Sequence, residues 1–323
     1  MKNRLIIIAV SICLIMSFCF FVDIHLSMYL VSLRRFTHFD DNKLCKKFNQ
    51  VSSSFLSVEN RVTLVMMGYN AQRKENYKEI FDAYSNMPQF IEKIIFVWNN
   101  VDVDPPEVLI PNENTTVPIY SIRAATNSMN NRFRVYDHVA TEGVLLVDDD
   151  IILHAVLIDC LIKTWLAYDQ KVMVGPGPRW TRDQKYLTRP LKHSMLKIQQ
   201  DLSGYSIIVG KIMLFHKSYL KHYSADESLV EWNEKRHCED IAMNALISNI
   251  SNSAPIALSI IEKDLLQEMT DSGGLSSTGS KKDWHRDRDE CIRFMQEHFS
   301  PNVFKQRDKL IDCNCNTGYT NFE

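Results

Sequence analysis

A chain of 323 residues, 45% hydrophobic and 24% charged, has an ordinary globular composition, long enough for one large domain or two small ones. Its formal net charge of -2 gives no electrostatic footprint for a nucleic-acid binder. Lys2 and Arg4 precede an apolar run from Leu5 to Val22, broken only by Ser11 and Ser17 and about as long as a bilayer span. The basic residues ahead of it place residues 1–4 in the cytosol and the rest in the lumen, although Arg34 and Arg35 after the span weaken the asymmetry. A cleaved signal peptide is the alternative. Such a segment is usually shorter and ends in small residues, whereas this one ends in Phe18-Cys19-Phe20-Phe21, which favours an uncleaved signal anchor at 5–22. Residues 23–60 are mixed and polar, with Ser52-Ser53-Ser54, and read as a stem.

From Arg61 the pattern changes. Val62 to Met67 reads as a buried strand, Gly68-Tyr69-Asn70 as a turn, Lys74 to Met87 as an amphipathic helix and Lys93 to Trp98 as a second strand. Val117 to Ile122 predicts a third strand, with Pro118 pointing to an edge or a strand start. Asn131 to Val139 suggests a helix, and Val144 to Val147 a buried strand running into Asp148-Asp149-Asp150. Strands alternating with helices predict a parallel, doubly wound α/β sheet. Beyond it, Ile151 to Tyr168 reads as helix and Met173 to Arg179 as a strand entering a loop. Tyr205–Val209 and Ile212–Phe215 read as two strands about a glycine, Asp240 to Ser248 as a short helix, and Thr270 to Ser280 as a mobile Gly/Ser-rich segment.

The acidic triplet is the stretch with the clearest chemistry. Three adjacent carboxylates repel one another unless a hard divalent cation or solvent neutralises them. At the end of a buried strand they predict a metal–diphosphate site on the carboxyl edge of a sheet, against the plain reading of a solvated acidic turn. In Cys238-Glu239-Asp240, two acids open a helix, which suits capping and the helix dipole, or a catalytic carboxylate. Trp284-His285-Arg286-Asp287-Arg288 supplies arginines suited to a diphosphate, or a salt-bridged helix start. Asn127 to Phe133 offers polar side chains for a nucleotide, or a turn and a cap. Trp98 and Met129 read as core. Of eight cysteines, Cys13 and Cys19 fall in the span. Cys45, Cys160, Cys238, Cys291, Cys313 and Cys315 would face an oxidising lumen, and sequence alone does not pair them. Sequons stand at Asn114 and Asn249.

In their order, VWNN (97–100), NNRF (130–133), LVDDD (146–150), CEDIAMN (238–244) and R-x-x-C (288–291) resemble the exostosin-type glycosyltransferases of family GT64. The resemblance spans about 61–304, leaving 305–323 as a C-terminal tail. It implies a GT-A fold, a Rossmann-like nucleotide-sugar half with a mixed sheet fused to an acceptor half. It also implies a retaining, Mn2+-dependent transfer of N-acetylhexosamine from a UDP-sugar. Carried over residue by residue, Asp148 and Asp149 contact ribose and sugar, and Asp150 is the metal ligand. Asn99, Asn127 and Arg132 bind the nucleotide. Asp240 is the catalytic residue beside Glu239, Arg288 lies on the diphosphate side, and Cys238–Cys291 is the disulfide. The chain departs from the family at Tyr69-Asn70-Ala71-Gln72-Arg73, where the arginine that follows Asn70 is displaced and Arg73 is the candidate to replace it. Glu239 stands where some members have Asp, and Gly175-Pro176-Gly177-Pro178-Arg179 lacks the usual apolar residue before the proline.

The implied setting is a single-pass type II protein of the Golgi or endoplasmic reticulum membrane with a luminal catalytic domain. Its acceptor is a glycan on a proteoglycan, of heparan-sulfate linkage type, or an inositol-phosphoceramide sphingolipid as for plant-like relatives, which Gly274 to Gly279 is nearer to. A catalytically silent partner of an active transferase is the alternative, against which stands the presence of the three aspartates, Asp240 and Arg288. A metal-dependent phosphohydrolase lacks supporting histidine ligands and conflicts with the anchor.

Overall fold

The computed structural model describes residues 60–106, 116–188, 204–260, 265–269, 281–308 and 310–312. The expected anchor, the stem, the Gly/Ser-rich segment, the C-terminal tail beyond 312 and the sequon at Asn114 lie outside them. Among the described residues, no helix is long and apolar enough to cross a membrane.

The chain builds a mixed α/β fold with a parallel-rich central sheet. β1 (Val62–Gly68) is apolar on both faces and therefore central, pairing in parallel with β2 (Ile91–Trp98) and β4 (Gly143–Asp148). β3 (Ile119–Arg123) ends the sheet beyond β2, as Pro118 suggested, and is mostly exposed, with only Ile119 buried. Helix α1 (Lys74–Ser85) connects β1 to β2 and buries Tyr77, Ile80, Phe81 and Tyr84. On the other side of β4 the parallel rule ends. β10 (Ile212–His216) runs antiparallel to β4 and to β6 (Val174–Gly175), followed by β11 (Ile256–Ser259) and β13 (Ile311–Asp312). Gly175 is required there, because a Cβ would stand 2.4 Å from the Ile212 carbonyl oxygen. The expected parallel pairing thus holds for the first half, β1 to β4, and the whole sheet is mixed.

Two expected helices are corrected. Residues 131–139 do not form one helix but two short 3-10 turns, Met129–Phe133 and Tyr136–His138. Asn130 and Asn131 direct their side chains to Val230 and Tyr223, and to Asn99 and the Thr126 carbonyl, which competes with a helical ladder. Residues 151–168 begin as a strand. β5 (Ile151–Leu153) pairs antiparallel with β12 (Leu266–Glu268), and its outer backbone is satisfied by the buried Tyr84 hydroxyl, which donates to Ile151 O and accepts from Leu153 N. Helix α2 (Ala155–Ala167) starts only after His154, whose ring accepts the Val156 N–H at 3.2 Å.

The second half adds a three-stranded sheet of β7 (Pro178–Arg182), β8 (Lys185–Leu187) and β9 (Tyr205–Ile208). The two strands about Gly210, β9 and β10, lie in different sheets, so their turn bridges both. Helices α3 (Ser218–Ala225), α4 (Glu227–Arg236), α5 (Glu239–Ser251) and α6 (Lys281–His298) complete this half. Phe133, Phe215, Tyr223, Ile241, Met243 and Met295 share one core there with Cys238 and Cys291, which form a disulfide with an S–S distance of 2.04 Å. Cys160 is also disulfide-bonded. Asn249 is exposed near the end of α5.

Candidate active site at the carboxyl edge of the sheet

Parallel strands place their carboxyl ends on one side, and the loops after β1, β2 and β4 meet there. β4 delivers Asp148, and the turn to β5 delivers Asp149 and Asp150. Asp148 accepts from Arg132 Nη2 at 3.1 Å. Asp149 accepts from Arg73 Nη1 at 3.2 Å and lies 3.1 Å from the Tyr77 hydroxyl. The displaced arginine of the first loop is therefore brought back to the acids by the 3-10 turn Ala71–Arg73, which Asn70 opens by accepting the Gln72 N–H. Burial pushes the Asp149 carboxyl up to about 6, the neighbouring Asp148 and Asp150 add to the shift, and Arg73 opposes it. Asp150 is also raised, by burial and by Asp148, with Lys211 and Arg73 opposing.

Asn99 is buried and tied inward. Its Oδ1 accepts from Asn131 Nδ2 at 2.7 Å and from the Ser128 N–H at 3.3 Å, and its Nδ2 donates to Asn127 at 2.9 Å. Asn127 itself is exposed. Of this pair, Asn99 holds the loop and Asn127 is the one that reaches solvent.

Arg132 joins the acids of β4 to those of α5. Its Nη1 donates to the Gly210 carbonyl at 3.2 Å and lies 3.6 Å from Glu239. Burial disfavours its charge, yet Asp148, Glu239 and Asp240 together hold the guanidinium above its ordinary value. Gly210 closes the circuit by donating its N–H to Asp240 Oδ2 at 3.2 Å. A Cβ on Gly210 would stand 2.9 Å from the Asp240 Cβ, so this approach needs glycine. Asp240 Oδ1 accepts the Ile241 N–H at 2.8 Å and pairs with Arg288 of α6. Cys238, not either acid, is the residue before the helix, and its side chain makes no capping bond. Glu239 and Asp240 therefore lie in the first turn rather than at the cap position, where they suit the helix dipole and Asp240 satisfies the Ile241 N–H. Arg288 lies against the rings of Trp284 and Tyr186, 5.1 and 5.4 Å from their centroids. Its charge is reinforced by Asp240, Tyr186 and Glu239 against the effect of burial.

The structure therefore brings together Arg73, Arg132, Asp148, Asp149, Asp150, Glu239, Asp240 and Arg288, with Asn99 and Asn127 on the adjoining loop. Tyr77, Gly210, Lys211 and Glu268 belong to the same edge and were not singled out from sequence. Only the glycine between two strands gave a signal for the turn that carries Gly210 and Lys211. Trp284 was noted, but not its contact with Arg288.

Asp150 Oδ1 is buried with no hydrogen-bond partner. An orphaned carboxylate oxygen beside two further aspartates fits a hard divalent cation. Among the described residues, no group of three or more His, Cys, Asp or Glu side chains is arranged to hold a metal alone. The fit is to an ion that keeps water and takes phosphate oxygens, as Mg2+ and Mn2+ do, rather than to a closed protein cage.

A family model for the glycosyl transferase family 64 domain matches residues 62–313. Exostosin-2 of Bos taurus is 30% identical over 258 residues, covering 77% of this chain and 34% of that protein. Exostosin-like 2 of Homo sapiens is 25% identical over 254 residues, 76% of this chain and 73% of that one. Glucosamine inositolphosphorylceramide transferase 1 of Arabidopsis thaliana is 28% identical over 236 residues, 72% of this chain and 29% of that one. The chain thus spans about a third of the length of Exostosin-2 and of the plant relative.

Proposed function

Since the chain belongs to glycosyl transferase family 64, we propose that it is a Mn2+-dependent, retaining transferase moving an N-acetylhexosamine from a UDP-sugar to a glycan acceptor. The observation that carries this reading is the continuous chain of ion pairs and hydrogen bonds from Asp148 through Arg132 and the Gly210 backbone to Asp240 and Arg288. Such a line of paired groups suits a nucleotide, its diphosphate and a reacting sugar lying side by side.

Asp148, Arg132 and Asn127 hold the nucleoside, and Asp149, fixed by Arg73 and Tyr77, meets the donor. Asp150 would hold the cation, which when bound offsets charge on the diphosphate. Arg288 faces the departing diphosphate. It is paired with Asp240, so donor binding divides the guanidinium between the two anions and leaves Asp240 to stabilise positive charge at the anomeric carbon. As the bond from that carbon to phosphate oxygen breaks, the acceptor hydroxyl bonds to the same face. Its proton passes to the leaving phosphate oxygen, which retains configuration. Trp284 and Tyr186 keep Arg288 on this line.

The acceptor is a proteoglycan linkage glycan or a glycosylated inositol-phosphoceramide, the latter favoured by the plant relative and by Gly274 to Gly279. The buried Cys238–Cys291 bond supports a luminal setting, where disulfides persist. The proposed anchor at 5–22 fixes the protein to the Golgi or endoplasmic reticulum membrane.

The deciding experiment is release of UDP from a panel of UDP-sugars with Mn2+. Turnover of an N-acetylhexosamine donor, lost with chelator and in Asp240→Asn, supports the reading. Donor binding without turnover in the presence of both acceptor classes would assign the chain as a silent partner instead.

A further inference from the structure

Lys211 lies in the turn between β9 and β10, and its carbonyl accepts the Asp148 N–H at 2.9 Å. The turn is thereby registered against the first acid of the triplet. The Lys211 ammonium stands 3.1 Å from Glu268 Oε1. Glu268 is opposite Ile151 in the β5–β12 pair, and the next residue, Met269, donates its N–H to the Asp150 carbonyl at 2.8 Å. A lysine from one side and a glutamate from the other thus flank Asp150, the acid with the orphaned oxygen. Their side chains are 38% and 33% exposed, so solvent screens the pair and its exchange for another anion costs little. A diphosphate carries more charge than one carboxylate and offers more acceptor oxygens, and lysine binds phosphate as a point charge.

We propose that Lys211 is a further donor-binding residue. Its ammonium leaves Glu268 for the diphosphate of the nucleotide, so the site retains measurable affinity for UDP without a divalent cation, and Glu268 competes with the diphosphate for the ammonium. This rests on the reading of the edge as a nucleotide-sugar site. It is tested by calorimetric titration of UDP into the full chain, with Mn2+ and separately in chelator, alongside melting curves. The wild type should bind in both conditions, more weakly in chelator. Lys211→Met should weaken the cation-free affinity about tenfold and Glu268→Gln should tighten it severalfold, with melting temperatures unchanged. Wild-type binding that vanishes in chelator but persists with Mn2+, or cation-free affinity unaffected by Lys211→Met, overturns the role of Lys211 alone. Weaker Mn2+-dependent binding in Glu268→Gln with no cation-free gain overturns it too, by making Glu268 a ligand of the cation. No UDP binding even with Mn2+ overturns the nucleotide-sugar reading and this inference with it.

Discussion

Glu239 and Asp240 are adjacent acids in different surroundings. Asp240 has its oxygens occupied by the Ile241 and Gly210 N–H groups and by Arg288. Glu239 is equally buried, but its cation, Arg132, stands 3.6 Å away and is shared with Asp148. Burial therefore pushes the Glu239 carboxyl up to about 7 from 4.5, with Arg132 opposing and Asp240 adding. An acid whose folded pKa is raised binds more protons folded than unfolded. Its contribution to stability is full below about 4.5 and is lost as pH rises through about 7. Melting curves without nucleotide should show this decline, and Glu239→Gln should make it shallower, leaving the part that Asp149, also raised, contributes at lower pH. An equally steep decline in the variant would assign it to another group. These acids were legible because they are contiguous in the chain and open a helix. Tyr77 was not, because it reaches Asp149 from 72 positions away and reads locally as one more apolar residue of an amphipathic helix.

Among the elements, α4, α5 and α6 decide where the chemistry sits. α4 ends in a left-handed residue, His237 at φ 51°, so Cys238 enters α5 at a fixed angle. Cys291 ties that point to α6, one turn beyond Arg288. Helix α4 is also joined to α6, by Arg236 with Glu290, by the stacked rings of Trp232 and Phe294 at 4.2 Å, and by His298 with Asp226 at 2.6 Å. Replacing both Cys238 and Cys291 by Ala should cost about 2–5 kcal/mol in denaturant unfolding while the fold persists on these other contacts. The site should suffer more than the fold, through a drop in kcat as Arg288 loses its fixed distance to Asp240. Full activity in the double variant would refute that link. Gly210→Ala tests the opposite wall. Its Cβ forces Asp240 to shift, which should cost about 1–3 kcal/mol and lower kcat more than it raises KM for the donor. A change confined to KM would place Gly210 on the nucleotide side alone.

Across the whole molecule, the first half of the fold was readable because long apolar strands alternate with an amphipathic helix. The second half was not, for physical reasons. β6 and β13 have two residues each, too few for a period, and β10 reverses direction next to β4 without any local sign. The residues that complete the edge meet over long separations, such as Lys211 with Glu268 at 57 positions and Arg288 with Asp240 at 48. That construction makes a prediction about cooperativity. The edge draws on the loop after β1, the end of β4, the β9–β10 turn, α5 and α6, so a ligand there touches both sheets at once. UDP with Mn2+ should therefore raise the melting temperature of the folded domain as one unit. At a hundredfold excess over Kd the gain is about 2.7 kcal/mol, which for a domain of this size is roughly 5–11 °C. Scanning calorimetry should show a single transition moving upward. A split into one shifted and one unshifted transition would mean that the two sheets unfold separately, and that the nucleotide is held by the parallel half without the turn at Gly210.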